Sequence, residues 1–369
     1  MQDQDLLYRI GITLVKGIGC ITARQIIDKL GDASFLFKEK RRITEKIPGI
    51  TRSMIAEIQR SEILLRAEKE INFIQKNKIT PLFITDNNYP YRIKECADAP
   101  ILLYFKGNTD LNSDKSISIV GTRNATNYGK DITEHLVKDI SKSYPDTIIV
   151  SGLAYGIDVC AHKEAVKNKL PTIGVLAHGL DRIYPYSHRN LAIEMLTNGG
   201  LLTDFISETK PDKQNFIKRN RIVAGISDCT IVIESAEKGG ALITSSIADS
   251  YHKDVFAYPG NINDPYSMGC NKLIKEKKAA LVTSAKDLFK EMGWEDQIAQ
   301  PKIIQKKIFP DVSEEEQRII ELLSVKGKMQ QNHLGIELNL SASKLVILLF
   351  ELEMKGIIRC IPGGIYQLS

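Results

Sequence analysis

Apolar positions change their period twice along the chain. Over the first 75 residues they recur at helical spacing, in ITARQIIDKL (Ile21, Ile26, Ile27, Leu30) and in MIAEIQRSEILLRAEKEINFI, which predicts short helices. A small-residue turn precedes each run, Lys16-Gly17-Ile18-Gly19 and Ile47-Pro48-Gly49-Ile50. From 76 to 295 the pattern becomes short apolar runs separated by helical stretches. The runs are SISIV (116–120), TIIVSG (147–152), PTIGVLA (171–177), GGLLTDF (199–205), CTIVIE (229–234), DVFAYPG (254–260) and AALVT (279–283). Continuous apolar strands alternating with helices predict a mostly parallel sheet covered on both faces, an α/β, doubly wound, Rossmann-like domain. The polar stretch EDQIAQPKIIQKKIFPD then reads as a linker over 296–311. Residues 312–369 read as three helices and a hairpin. Ser313 and Glu316 stand at capping-box spacing, Gly356 follows the third helix, and Pro362-Gly363-Gly364 makes the turn. That is winged-helix logic.

Composition narrows the classes. The chain has 369 residues, 43% hydrophobic and 26% charged, with a net charge of +5, enough length for two or three domains. The start MQDQDLLYRI has neither a basic flank nor an apolar h-region, so no signal peptide is expected. The longest stretch free of Asp, Glu, Lys and Arg is 11 residues, short of the roughly 18 that a membrane span needs. The six cysteines (20, 96, 160, 229, 270, 360) are widely spaced, so no metal knuckle or redox pair is expected. Free, buried thiols in a reducing cytoplasm are the expectation. Asp158 reads as a helix N-cap and His162 as its structural partner, with no metal site.

Three glycine loops follow predicted strands: GTRNATNYG (121–129), SGLAYGID (151–158) and EKGGALITSS (237–246). In a doubly wound sheet they gather at the carboxyl edge, where glycine lets backbone approach an anion and helix N-termini attract it. The turn Gly121-Thr122-Arg123 is no G-x-G-x-x-G, and no P-loop occurs, so dinucleotide redox chemistry and triphosphate hydrolysis are disfavoured. Lys210, Lys213, Lys218, Arg219 and Arg221 against Asp212 give the run KPDKQNFIKRNR a net charge of +4, interleaved with Phe216, Asn215 and Asn220. Arg123 and Arg189 add to it. Cations with an aromatic platform suit a single-stranded nucleic acid; a solvated charged loop is the plainer use of such a run. The apolar-x-Gly-Ile-Gly turn at 16–19 is similar to a helix-hairpin-helix or SAM-like element. Its glycines serve phosphate contact or close helix packing, and both uses stay open. The third helix of the terminal module sets Lys344 and Lys355 against Glu351 and Glu353, a balance that favours a protein contact over duplex reading.

In order, VGTRNATNYG, SGLAYGIDVCAH, GLDRIYP, FIKRNRIVAGIS, GGALITSS and VFAYPGN closely resemble the DNA-processing protein A family, DprA, also called Smf. The likeness covers residues 76–295, with a helical domain at 1–75 and the winged-helix-like domain at 312–369 suiting family members more loosely. It implies an extended Rossmann domain that binds single-stranded DNA, acts as a homodimer, and loads the RecA recombinase onto incoming strands it protects during natural transformation. Carried over by motif, the DNA-binding residues are Gly121, Thr122, Arg123, Gly152, Gly156, Phe216, Lys218, Arg219, Asn220, Arg221, Gly239 and Gly240. In the segment Tyr184-Pro185-Tyr186-Ser187-His188-Arg189-Asn190, Arg189 or His188 takes the place of a lysine common in the family. Leu202-Thr203-Asp204-Phe205 and Ala177-His178 depart from the family's pattern.

The rival expectation is a phosphoribohydrolase-like enzyme with the motif P-G-G-x-G-T-x-x-E. Here Gly239-Gly240-Ala241-Leu242-Ile243-Thr244 is followed by Ile247 where that enzyme has its glutamate. With that carboxylate gone no catalytic residue is assigned and no cofactor is expected. A pure protein-interaction module built on the terminal domains is the third class.

Overall fold

The computed structural model describes residues 2–38, 50–294, 312–361 and 363–368. The Ile47-Pro48-Gly49 turn, the 296–311 linker and Pro362 lie outside the described residues. The chain divides into two compact units, Met1–Ile298 and Ala299–Ser369.

The first unit begins with helices α1 (Gln2–Leu14), α2 (Cys20–Leu30), α3 (Ser34–Lys38), α4 (Arg52–Ile58) and α5 (Ser61–Asn77). The run 54–74 is therefore two helices, broken at Gln59 and Arg60. Strands β1 (Thr80–Phe83) and β2 (Leu102–Gly107) flank a one-turn helix α6 (Tyr91–Lys94). The βα alternation then runs β3 (Ser116–Val120), α7 (Asn127–Ser143), β4 (Ile148–Ser151), α8 (Ile157–Lys167), β5 (Thr172–Val175), α9 (Arg189–Met195) and β6 (Gly199–Thr203). It continues with α10 (Lys213–Gly225), β7 (Cys229–Val232), α11 (Gly240–Ser250), β8 (Asp254–Ala257), α12 (Met268–Lys275), β9 (Ala280–Leu281) and α13 (Ala285–Glu291).

The sheet order is β1-β2-β6-β5-β4-β3-β7-β8-β9. The pairs from β6 through β3 to β9 are parallel, while β1–β2 and β2–β6 are antiparallel. β1 and β2, unread in the sequence, thus extend the predicted sheet by an antiparallel edge. Alternate strand residues enter opposite cores, as pleating requires. Ile117, Ile119, Ile149 and Ile231 join α7, α8 and α13 on one face. Val120, Val150, Val175 and Val232 share the other with α10, α11 and the N-terminal helices. Strand order reverses at β3, whose neighbours are β4 and β7, and such a switch opens a crevice at the carboxyl edge.

In the second unit α14 (Glu314–Lys326) starts at a capping box: Glu316 N donates to Ser313 Oγ and Ser313 N to Glu316 Oε2. β10 (Lys328–Gln330), α15 (Gln331–Leu338), α16 (Ala342–Met354), β11 (Ile358–Ile361) and β12 (Ile365–Leu368) follow, with sheet order β10-β12-β11. Gly356 ends α16 at φ +69°, and Gly363 and Gly364 turn the hairpin at φ +95° and +65°. Leu323, Leu334, Leu345 and Leu349 form its core. Among the described residues no single helix is long and apolar enough to cross a membrane. The pair α15–α16 meets that measure only with a bend of 112°, and its leucines line the module's own core.

Of the cysteines, Cys96, Cys229 and Cys270 are buried as expected; Cys20 and Cys160 are half-buried and Cys360 is exposed.

Candidate functional site

At the carboxyl edge the loops after β3, β4 and β7 converge on a cavity of about 700 Å³. Gly121, Thr122 and Arg123 line it from the first loop, Gly152 and Asp158 from the second, and Lys238, Gly239 and Gly240 from the third. Lys213, Phe216, Arg219 and Asn220 of α10, and Tyr184, complete the wall.

Two contacts lace the loops together. Gly156 N-caps α8 at φ +79°, and a Cβ there would lie 2.1 Å from the Thr122 carbonyl oxygen, an approach only glycine allows. Ile157 N then donates to that same carbonyl at 3.1 Å. On the other side the buried Glu234 accepts from Thr126 Oγ1 at 2.5 Å and Thr126 N at 3.0 Å, while Thr122 N donates to the Glu234 carbonyl at 2.8 Å. The first loop is thereby pinned to β7. The sequence had placed Glu234 only as the end of a strand.

The N-cap of α8 is Gly156, and Asp158 instead lies in the first turn, accepting from Ala154 N at 3.4 Å. Its partner is not His162, whose Nδ1 lies 2.7 Å from Thr172 Oγ1. Position 156 takes the cap because a positive φ is needed where the two loops meet.

Helical periodicity sorts the basic run. Asp212 caps α10, accepting from Asn215 N at 2.9 Å, so Lys213, Phe216, Arg219 and Asn220 fall on the cavity face. Lys218 and Arg221 face a separate cavity between α2 and the sheet unit. There Arg221 Nη2 donates to Asp204 Oδ2 at 2.7 Å and to Cys20 Sγ at 3.3 Å. Arg189 is exposed at the start of α9, outside the first cavity; His188 is buried and bonded to the Leu153 carbonyl at 2.9 Å.

Beside Lys213 and Lys238 at the wall, two arginines flank Phe216. Arg123 is exposed, its guanidinium 5.0 Å from the centroid of the Phe216 ring. Arg219 is only 4% exposed. Its Nη1 donates to the Gly152 carbonyl at 2.7 Å and to the Val175 carbonyl, while Nε has no partner. Burial pulls its pKa down to about 10, with Asp158 opposing and Arg123 adding to the fall. Burial likewise pushes the Asp158 carboxyl up, against the pull of Arg219. A buried cation short of hydrogen-bond acceptors, with a second cation above it, favours an anion in the cavity. Among the described residues no three His, Cys, Asp or Glu side chains gather as a metal site.

The family described as DNA recombination-mediator protein A matches residues 80–293, more than half of the chain. The chain belongs to the DprA/Smf family. A DprA winged helix domain matches residues 309–364. The DNA processing protein DprA of Bacillus subtilis is 43% identical over 215 residues, 58% of this chain and 71% of that protein. The crystal structure of DprA from Streptococcus pneumoniae superposes with a TM-score of 0.60 at 31% identity, covering 77% of this chain and 96% of that one. DprA from Helicobacter pylori, whose structure concerns its single-stranded DNA binding mode, gives 0.52 at 29% identity over 58% of this chain and 95% of its own.

Proposed function

We propose that this DprA-family protein binds single-stranded DNA in the cavity at the carboxyl edge and performs no turnover there. The observation that carries the reading is the pairing of Arg123 with Phe216 above the buried Arg219. A strand needs a cation for each phosphate and a ring for a base, and here they stand side by side. Gly121, Thr122, Gly152, Gly239, Gly240 and Asn220 supply the surrounding surface, with Gly156 setting its shape. The hydrolase alternative has little support, since Ile247 lines the second cavity and not the first.

In this reading 1–75 is a helical adaptor, 76–295 the strand-binding body, 296–311 a linker and 312–369 a contact module. The exposed face of α16 carries Val346, Ile347, Phe350 and Met354, which suits a protein contact better than a duplex. The family likeness supports the further reading of a cytoplasmic homodimer that protects a strand and hands it to RecA.

The test is titration of labelled single-stranded and duplex oligonucleotides at several salt concentrations. Arg123→Ala should weaken single-strand binding at least about tenfold, or about 1.4 kcal/mol, and flatten the log K against log salt slope by about 0.7. Phe216→Ala should weaken it with the slope unchanged, because stacking releases no counterion. Equal small losses from these and from the exposed Lys286→Ala would mean diffuse electrostatics and remove the cavity assignment. Release of base or phosphate from nucleotides, lost in cavity variants, would restore the enzyme reading.

A further inference from the structure

The cavity ends in an aromatic border that its own cations do not explain. Tyr184 stands 5.9 Å from Phe216, ring centroid to centroid, and is 46% exposed. Two residues on, Tyr186 is 77% exposed, and Tyr155 of the second loop is 49% exposed. Of the three, Tyr184 lines the cavity, Tyr155 follows Ala154, which lines it too, and Tyr186 is two residues beyond Tyr184. Exposed rings grouped this way leave apolar surface for something to cover. The segment that carries Tyr184 and Tyr186 is tied to the loop that carries Tyr155. His188 packs its ring edge-to-face on Tyr155 at 5.0 Å and bonds to the Leu153 carbonyl, and Ser187 Oγ lies 3.4 Å from the Tyr155 hydroxyl. Arg189 follows at once, exposed and without an ion pair among the described residues.

We propose that a single strand leaving the cavity continues across this ledge, its bases stacking on Tyr184, Tyr186 and Tyr155 and a phosphate meeting Arg189. The inference rests on the strand-binding reading and lengthens its site beyond the cavity. Phe216 and Tyr184 are tilted by 54° to one another, so bases stacked on the two rings would not lie parallel. A duplex keeps its bases inside and gains nothing from exposed rings, so the ledge selects unpaired nucleotides. It also gives Arg189, which lies outside the cavity, a place on the strand path.

The experiment compares oligothymidylates of about 5 and about 15 nucleotides, lengths within the range that single-strand grooves cover. Wild type should bind the long one more tightly. Tyr155→Ala/Tyr186→Ala should weaken the long oligonucleotide at least about fivefold, leave the short one unchanged, and keep the salt slope. Tyr186→Phe, which retains the ring, should bind as wild type does. Arg189→Ala should weaken only the long one and flatten its salt slope by about 0.7. Equal losses on both lengths, or no loss on the long one, would overturn the ledge while leaving the cavity standing. A double variant that changes the oligomeric state without DNA would assign these rings to a protein contact instead and overturn the inference. Failure of wild type to bind either oligonucleotide would remove the strand-binding reading and the ledge together.

Discussion

Arg219, on α10, donates from Nη1 to the carbonyl of Gly152, 67 residues earlier, at 2.7 Å. A Cβ at position 152 would fall 2.4 Å from that guanidinium, so Arg219 can sit here only where residue 152 is glycine. The cation is thus both part of the loop's scaffold and the charge beneath the cavity. Arg123, exposed on the rim, supplies charge from above the cavity.

The two arginines should separate in a stability measurement. Arg219→Ala leaves the Gly152 and Val175 carbonyls short of a donor and should cost roughly 1–3 kcal/mol in denaturant unfolding. Arg123→Ala should stay within about 0.5 kcal/mol of wild type while losing strand affinity. Equal stability for both variants would show that Arg219 does not support the loop.

Two glycines should part in the same way. Gly156→Ala forces a side chain into a positive-φ backbone and against the Thr122 carbonyl, and should destabilise by about 1–3 kcal/mol or more. At Gly240 a Cβ meets nothing within 4 Å, so Gly240→Ala should fold normally. It should nonetheless weaken strand binding, because a methyl at the start of α11 keeps a phosphate from the backbone. Unchanged affinity in a normally folded Gly240→Ala would place the phosphate elsewhere.

His162 should make stability depend on mild acid. It is fully buried, and burial first, then the Arg219 charge, hold its pKa down at about 3 against an ordinary 6.5. Below the ordinary value the unfolded chain takes up a proton that the folded protein refuses. Stability therefore falls as pH drops from 6.5 towards about 3, by up to about 1.4 kcal/mol per pH unit. Unfolding of His162→Asn between pH 6.5 and 4.5 should show a slope smaller by about one proton. An identical slope would assign the acid sensitivity to other groups.

Removing 312–369 should leave single-strand affinity within a few-fold. The cations of the module's third helix are engaged: Lys344 pairs with Glu315, and Lys355 with Glu316 at 2.7 Å. Loss of all binding on truncation would make that module the primary reader.

Much of this was legible in the chain itself. Every residue of β3 is buried, and SISIV could be read as a strand from its short β-branched run without charges, its two serines being small enough to enter the core, where Ser118 donates to the Val223 carbonyl. The Ser313–Glu316 cap and the three glycine loops are local devices that short segments encode by themselves. The antiparallel edge was not legible. β2 pairs with β1 and with β6, the latter almost a hundred residues later, and no local period announces such a partner. Nor could a charge count divide the run 210–221. Only its folding into α10 turned Arg219 towards Gly152 and Arg221 towards Asp204. Thr126 meeting Glu234 across 108 residues is the same case. Periodicity and turn chemistry are properties of neighbours along the chain, whereas the cavity is built from pairs whose meeting depends on the whole sheet having closed.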